Sequence, residues 1–557
     1  MAWLLLDFGL FATILRAVVL SVEAIVLGGI LFVAIVLLPL QKLPGADLQR
    51  ALDRCRRGMS WAALALVLAL ALYTAVNSAI LMSTAQLPLS NVMQADFFIA
   101  GASAALAGGV LWLLLRSSSR ISLRTIIPLG VMLLGGSVWT SHSVSRLDHR
   151  ALTAALTGIH QLAAAGWIGA MPFLLLTLGA GVDATTGRSV VRRYSMLALV
   201  SVLALIGAGV VLSFYYVGSW QGLYGTAYGF MIITKIVLLL GLLALGSVNW
   251  WMVRGLDDPS AIPLRVQPIL ARLRRITEAE AGIGFSIILA AASLTSQPPA
   301  VDLVTDRLTA HEIVQRFTPI VPRMTTPTAA ELSPATPLDV AVGSFDSSER
   351  AQAHNLDPDI AWSEYSHHWA GIILLFIGIG ALLSRSPRLP WARYWPLGFA
   401  GLAVFSFLRG DPENWPLGPI SFWKSFYDPE VLQHRVYDLI FVAYAAFELA
   451  VQTGRIRARK AAFAFPLMLA LGGAGLLLHD HAMGNVKGDL LIEMSHNQLA
   501  VLAVFGGWAR WLEIRLTNAD RAAGQGDRAD SLARIAGLVW PCCLILISLV
   551  LLNYREA

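Results

Sequence analysis

Apolar residues in this chain come in unbroken runs of roughly 20, the length that an α-helix needs to cross a bilayer. They fall near residues 15–39, 60–83, 95–115, 122–141, 153–179, 194–217, 228–252 and 276–296, then near 366–384, 392–408, 433–452, 461–479, 490–511 and 533–552. The runs are continuous, whereas the strands of a membrane barrel would alternate apolar and polar over about 10 residues. The pattern predicts an all-α polytopic membrane protein with about fourteen transmembrane helices. Met1 leads straight into an apolar segment interrupted by Asp7, Arg16 and Glu23, with no basic leader and no small-residue cleavage site. That segment reads as an uncleaved first span.

Composition agrees: 56% of the 557 residues are hydrophobic and mean hydropathy is +0.65. The basic residues then orient the spans. Arginine clusters follow the first (Arg50, Arg54, Arg56, Arg57), third (Arg116, Arg120, Arg124), fifth (Arg188, Arg192, Arg193) and seventh spans (Arg254, Arg265, Arg272, Arg274, Arg275). Three more such loops hold Arg385, Arg388 and Arg393, then Arg455 to Lys460, then Arg510 to Arg534. By the positive-inside rule these loops are cytoplasmic, which puts both termini and the alternate loops outside. The net charge of +6 is thus topology, and no nucleic-acid partner is implied. Residues 298–362 form the one long polar stretch, rich in proline, and are read as a periplasmic linker. They separate an eight-span half, residues 1–297, from a six-span half, residues 363–557. No internal repeat relates the halves. Cys55, Cys542 and Cys543 form no CxxC pair, so soft-metal chemistry must rest on histidine, methionine and carboxylates.

On this topology all eleven histidines lie in outer loops or at the outer ends of spans. Imidazole and thioether groups bind copper well, so an outward ring of histidines points to that metal. In the first half, His142 closes the fourth span and His160 lies two turns into the fifth, within GIHQLAAAGWIGAMPF; Trp167 and Gly169 beyond it suit close helix packing. The six-span half is richer. His367 and His368 open the ninth span, and an adjacent pair on a regular helix presents only one ring to any one centre. His434 opens the eleventh span with Asp438 one turn below. His479 and His481 end the twelfth, and Glu493 and His496 open the thirteenth at the i, i+3 spacing of bundle metal sites. Met483 and Met494 are candidates for thioether ligands. A solvated polar rim and plain packing are the alternative readings throughout.

Charges inside a membrane are expensive, so Glu23 in the first span and Lys235 in the seventh are candidates for an intramembrane relay or for mutual neutralisation. Asp96 is a candidate ligand or a helix-start carboxylate. The proline- and aromatic-rich loop RGDPENWPLGPISFWKSFYDPEVLQH predicts an ordered cap on the outer interface, a candidate either to roof His434 or to dock a periplasmic partner.

The SHS end of the fourth span, the GIHQLAAAGWIGAMPFLLL start of the fifth and TKIVLLLGLLALGSVNWWMVR in the seventh resemble the CopD family of bacterial copper-resistance membrane proteins. The resemblance covers about 290 residues. It implies a copper ion, Cu(I) or Cu(II), handled at the inner membrane with a separate periplasmic partner of the CopC type, and it carries His142 and His160. SHS departs from the glycine and histidine expected there. The six-span half resembles the C-terminal extension of long CopD-like proteins, and architecturally the CtaG oxidase-assembly factors. The short inner loops hold no ATP-binding motif, and the chain reads as a copper-binding transporter and not an enzyme. Two rival readings stand beside it: a bis-histidine haem electron-transfer protein, and a copper chaperone for oxidase assembly without transport.

Overall fold

A computed structural model describes residues 8–41, 48–117, 122–145, 148–256, 263–327, 358–411, 414–427, 429–456, 458, 460–478, 486–522 and 531–555. Its principal helices are α1 (Phe8–Leu31), α2 (Gln49–Thr84), α3 (Asp96–Ser117), α4 (Leu123–Trp139), α5 (Arg150–Ala164), α6 (Met171–Leu178), α7 (Ala184–Val217), α8 (Ala227–Gly255) and α9 (Pro263–Ser296). These are followed by α10 (Ala310–Phe317), α11 (Pro358–Leu383), α12 (Leu397–Arg409), α13 (Pro429–Gln452), α14 (Ala464–Leu476), α15 (Val486–Ala522) and α16 (Ser531–Leu552). Every apolar run predicted as a span lies on one of these helices. Among the described residues, nine helical stretches are long and apolar enough to cross a membrane, and α4, α12 and the Ala461–Leu476 stretch are shorter apolar helices. The remaining two runs lie on α13 and α15, which carry buried charges.

The chain forms two compact units, Met1–Leu223 with Met231–Asp302, and Tyr224–Phe230 with Leu303–Ala557. The first turn of α8 thus counts with the second unit.

In the first unit the spans Phe11–Gln41, Arg150–Leu178 and Val266–Asp302 are more than half buried, while Ala184–Val217 is mostly exposed and faces lipid. Gly28 of α1 meets Gly169 and the Ala165 carbonyl, and a Cβ built on Gly169 would overlap the carbonyl of Ala24. Two backbones therefore touch, as small residues permit between membrane helices. Both partners widen into a π turn, Phe32–Leu37 after α1 and Ala165–Gly169 after α5. A π turn disturbs the regular hydrogen-bond ladder, and Pro172, which has no N–H, follows the second. The Tyr194 hydroxyl supplies a donor there, bonding the Trp167 carbonyl at 2.9 Å.

The helix ends follow local chemistry. The Asp183 carboxylate caps α7 by accepting from the backbone N–H groups of Thr185 and Thr186, each at 3.1 Å. Hydrogen bonds from Thr185 and Thr186 hold its carboxyl down at about 2. Gly218, at φ +71°, ends α7 in the left-handed region that only glycine adopts freely.

The second unit packs around aromatic rings. Trp395 sits 5.5 Å from both Phe465 and Trp540, centroid to centroid, with Phe399 and Tyr444 alongside. Beside this core Arg510 bonds Glu448 at 3.4 Å and Glu513 at 2.8 Å, Arg385 pairs with Glu513, and the Trp540 indole N–H donates to Glu513 at 2.9 Å. The network joins the turn after α11 to α13, α15 and α16.

The backbone contact at Gly169 sets an expected outcome. Gly169→Val should overpack the crossing and cost about 1–3 kcal/mol or more, read as a lower melting temperature in detergent. Gly109→Ala, which meets nothing within 4 Å, should leave the melting temperature unchanged or raised. Equal behaviour of the two would refute the crossing.

Candidate functional site

His160 is the histidine of the first unit whose surroundings are best defined. Its Nδ1 lies 3.1 Å from the Leu205 carbonyl oxygen, and its ring rests against Gly209, where an added Cβ would stand 3.2 Å from Cε1. A carbonyl oxygen only accepts, so Nδ1 carries the proton and Nε2 keeps the lone pair. Metal-binding histidines are oriented in this way, by a hydrogen bond from the nitrogen that does not ligate. Lys235 of α8 is near enough for its charge to act on His160. The sequence reading named both residues without joining them.

Of the other first-unit candidates, His142 opens a short helix, His142–Ser145, and its side chain lies outside the described residues. Asp96 starts α3, in the helix-start role. Glu23 is buried, with Oε1 lacking a hydrogen-bond partner. The sequence reading missed Glu280. That carboxylate is buried in α9 and accepts from Asn249 Nδ2 at 2.5 Å, with Thr277 beside it and Tyr194 within electrostatic reach. Its signal was present, since Glu280 falls inside the eighth predicted span, where a carboxylate is as costly as at Glu23.

In the second unit the adjacent histidines separate. His368 is fully buried; its Nδ1 accepts from the Arg323 N–H at 2.7 Å and its Nε2 donates to the Tyr554 carbonyl at 2.9 Å. As placed it has no lone pair left for a metal, and it clamps two chain segments onto α11. His367 stacks on Tyr554 at 3.9 Å and meets His496 edge to face at 6.2 Å. Each of these two rings bonds the carbonyl four residues back, Ser363 at 2.8 Å and Ile492 at 3.1 Å. Glu493 lies beside Asn497, 3.5 Å away. Met494 packs in an apolar cluster with Leu308 and Leu490.

His434 takes a partner from the preceding loop: its Nδ1 is 2.8 Å from Asp411 Oδ1. Asp438 faces Arg435, 3.8 Å away, and Arg435 also bonds the Phe407 and Trp415 carbonyls at 3.0 and 3.2 Å. The loop does fold over this position, but a guanidinium answers Asp438. Asp411 and Arg435 were not foreseen, because their pairing depends on how the loop returns. His479, His481 and Met483 lie outside the described residues. Among the described residues, no three His, Cys, Asp or Glu side chains gather closely enough to hold a metal ion.

Residues 188–294 match the family model described as copper resistance protein D, CopD. The copper transport protein CutJ of Bacillus subtilis (strain 168) is 26% identical over 169 residues, 30% of this chain and 29% of that protein. The match therefore spans less than a third of that relative's length. No solved structure matches. Leu205, Gly209, Lys235, Asn249 and Glu280 fall within the matched segment, whereas His142 and His160 fall before it; the segment supplies the seat against which the His160 ring is held.

Two outcomes are expected from these placements. His368→Ala should cost about 2–4 kcal/mol of stability, through a cavity and two orphaned backbone groups, while leaving bound metal unchanged; a loss of metal without a loss of stability would contradict the clamp. Glu312 closes a capping box with Thr309 and pairs with Lys487 at 3.0 Å. The Thr309 N–H, then Lys487, hold its carboxyl at about 2, below the usual 4.5. A depressed carboxyl stabilises the fold above its unfolded value and stops doing so once protonated. Glu312→Gln should therefore lower the melting temperature at neutral pH, and the deficit should close as pH falls from about 4.5 towards 2. A deficit independent of pH would show that the charge is not involved.

Proposed function

We propose, from the match of residues 188–294 to the copper resistance protein D model and the partial likeness to a copper transport protein, that the chain binds copper at the outer face of a bacterial inner membrane and moves it across or hands it on. Copper is cargo in this reading, and the protein transforms no substrate. The observation that carries it is His160: a ring fixed through Nδ1 on Leu205, with Nε2 left to ligate, on one of the most buried spans of the first unit. The alternating arginine loops put both termini outside, so the ion arrives from the periplasm, supplied by a separate protein of the CopC type.

The charge near the site bears on how the ion is held. Lys235 opposes a cation at His160, which weakens binding and speeds release. A site that passes an ion on must bind it well enough to enter and weakly enough to leave.

The test is copper content and copper accumulation in vesicles containing the purified full-length protein. His160→Ala should lower copper affinity at least tenfold, about 1.4 kcal/mol or more. Lys235→Met should bind copper more tightly and release it more slowly. Unchanged binding and accumulation in His160→Ala would remove the site. Copper bound but never accumulated would favour delivery to another protein, and a Soret band in the visible spectrum would favour haem.

A further inference from the structure

The helices α1, α2, α3 and α4 enclose a cavity that none of the histidines reaches. Its volume is about 30 Å³, room for one water molecule. Six polar side chains line it: Arg16 and Glu23 from α1, Tyr73 and Thr74 from α2, and Ser137 and Thr140 at the end of α4; the rest of the wall is apolar. Glu23 is 7% exposed and Ser137 6%; among the described residues neither Glu23 Oε1 nor Ser137 Oγ has a partner within hydrogen-bond distance, and the Ser137 side chain lies close enough to act on the carboxyl. Arg16 is engaged elsewhere, donating to Thr140 Oγ1 at 3.5 Å with its guanidinium 5.9 Å from the Tyr73 ring centre.

A buried carboxylate with an unanswered oxygen is costly in a medium of low dielectric. Three occupants would relieve it: a metal cation, a water or a proton. A metal cation is opposed by the Arg16 charge and finds only one carboxylate. A water fits the volume and has the two to four polar partners it needs, and it brings a proton within reach of Glu23.

We propose that this cavity is a proton-exchange site, in which a water between Glu23 Oε1 and Ser137 Oγ carries a proton to and from the Glu23 carboxylate. On uptake an O–H bond of a hydronium breaks, an O–H bond forms on Glu23, a neutral water remains, and the net charge of Glu23 with Arg16 rises from zero to plus one. The charged and titratable groups that face Glu23 are Arg16 on its own helix and Tyr73 on α2. The α3 and α4 walls contribute no charge. The fifth and eighth spans meet α1 through the Gly169 backbone and Ser296, which carry none. The coupling of this proton to copper rests on the transport reading above; the site itself does not.

Infrared difference spectra of the full-length protein in liposomes, recorded as a function of pH, read the carboxyl directly. A C=O stretch should appear as pH falls, vanish in Glu23→Gln and move to higher frequency in Ser137→Ala, which removes a hydrogen-bonding partner. In Arg16→Gln its midpoint should move to higher pH, because a positive charge that favoured the carboxylate is gone. A spectrum identical in wild type and Glu23→Gln overturns the proposal. If Glu23→Gln does not fold, the Ser137→Ala and Arg16→Gln shifts decide, and no shift in either overturns it. Copper added to dye-loaded vesicles should move protons in the wild type and at least tenfold fewer in Glu23→Gln. Copper movement without proton movement in the wild type overturns the coupling. If copper does not cross at all, the transport reading fails, and the carboxyl band still decides the proton site.

Discussion

Where Gly28 and Gly169 meet, two helix backbones touch, and no side chain can be inserted between them. That contact fixes both the depth and the rotation of the first span against the fifth. With about 100° per residue, Ala24 and Gly28 share the face turned to the fifth span. Glu23 stands about 140° from Gly28, so it must face the other way, into the walls of α2 and α4 where the cavity lies. Arg16, seven residues earlier, returns to nearly the same face as Glu23. On the fifth span, His160 lies nine residues before Gly169, with the π turn between them, and its ring rests on α7, where Leu205 and Gly209 receive it. The imidazole and the carboxylate thus face different helices around the same crossing.

The two units handle buried charge differently. In the second unit charges are gathered: Arg510 between Glu448 and Glu513, and Arg435 between Asp411 and Asp438. Taking a partner from such a set leaves an unpaired buried charge, which costs about 3–5 kcal/mol. Glu23 has a hydroxyl-lined cavity and Glu280 has an amide and a threonine, with no cation in an ion pair with either among the described residues. An isolated carboxylate can change protonation without breaking an ion pair. Under the proposal Glu23 is where a proton comes and goes, while the ion-paired groups of the second unit join its helices.

The spans were legible in the sequence because bilayer thickness imposes a length that no other structure requires. Intramembrane charge was legible for the same reason at Glu23, whereas Glu280, close to the arginines at the start of its span, was missed. What could not be read was the partner of each histidine. The adjacent pair His367 and His368 looks symmetrical in sequence, yet one ring stacks on Tyr554 and the other is consumed by two backbone groups. Helical spacing placed His434 above Asp438, but spacing within one helix says nothing about a loop that returns Asp411 to the imidazole and a neighbouring arginine that answers the aspartate. Side-chain periodicity reports which face a residue occupies, and the occupant of the opposing face comes from elsewhere in the chain.

The His160 seat shows what such an opposing face contributes. A lone imidazole is a weak metal ligand, and a nearby ammonium weakens it further, so the site would be a poor store. The same features suit a relay point. The Leu205 carbonyl fixes the tautomer and the ring orientation, so that no reorganisation is needed when an ion arrives. Gly209 leaves the ring room at the helix surface, and in the proposed copper reading the Lys235 charge opposes a cation there. Deep binding would need two or three converging ligands, and the described residues supply no such group. A membrane protein that carries copper onward is better served by a shallow, pre-oriented ligand than by a closed cage, because each added ligand that speeds capture also slows release.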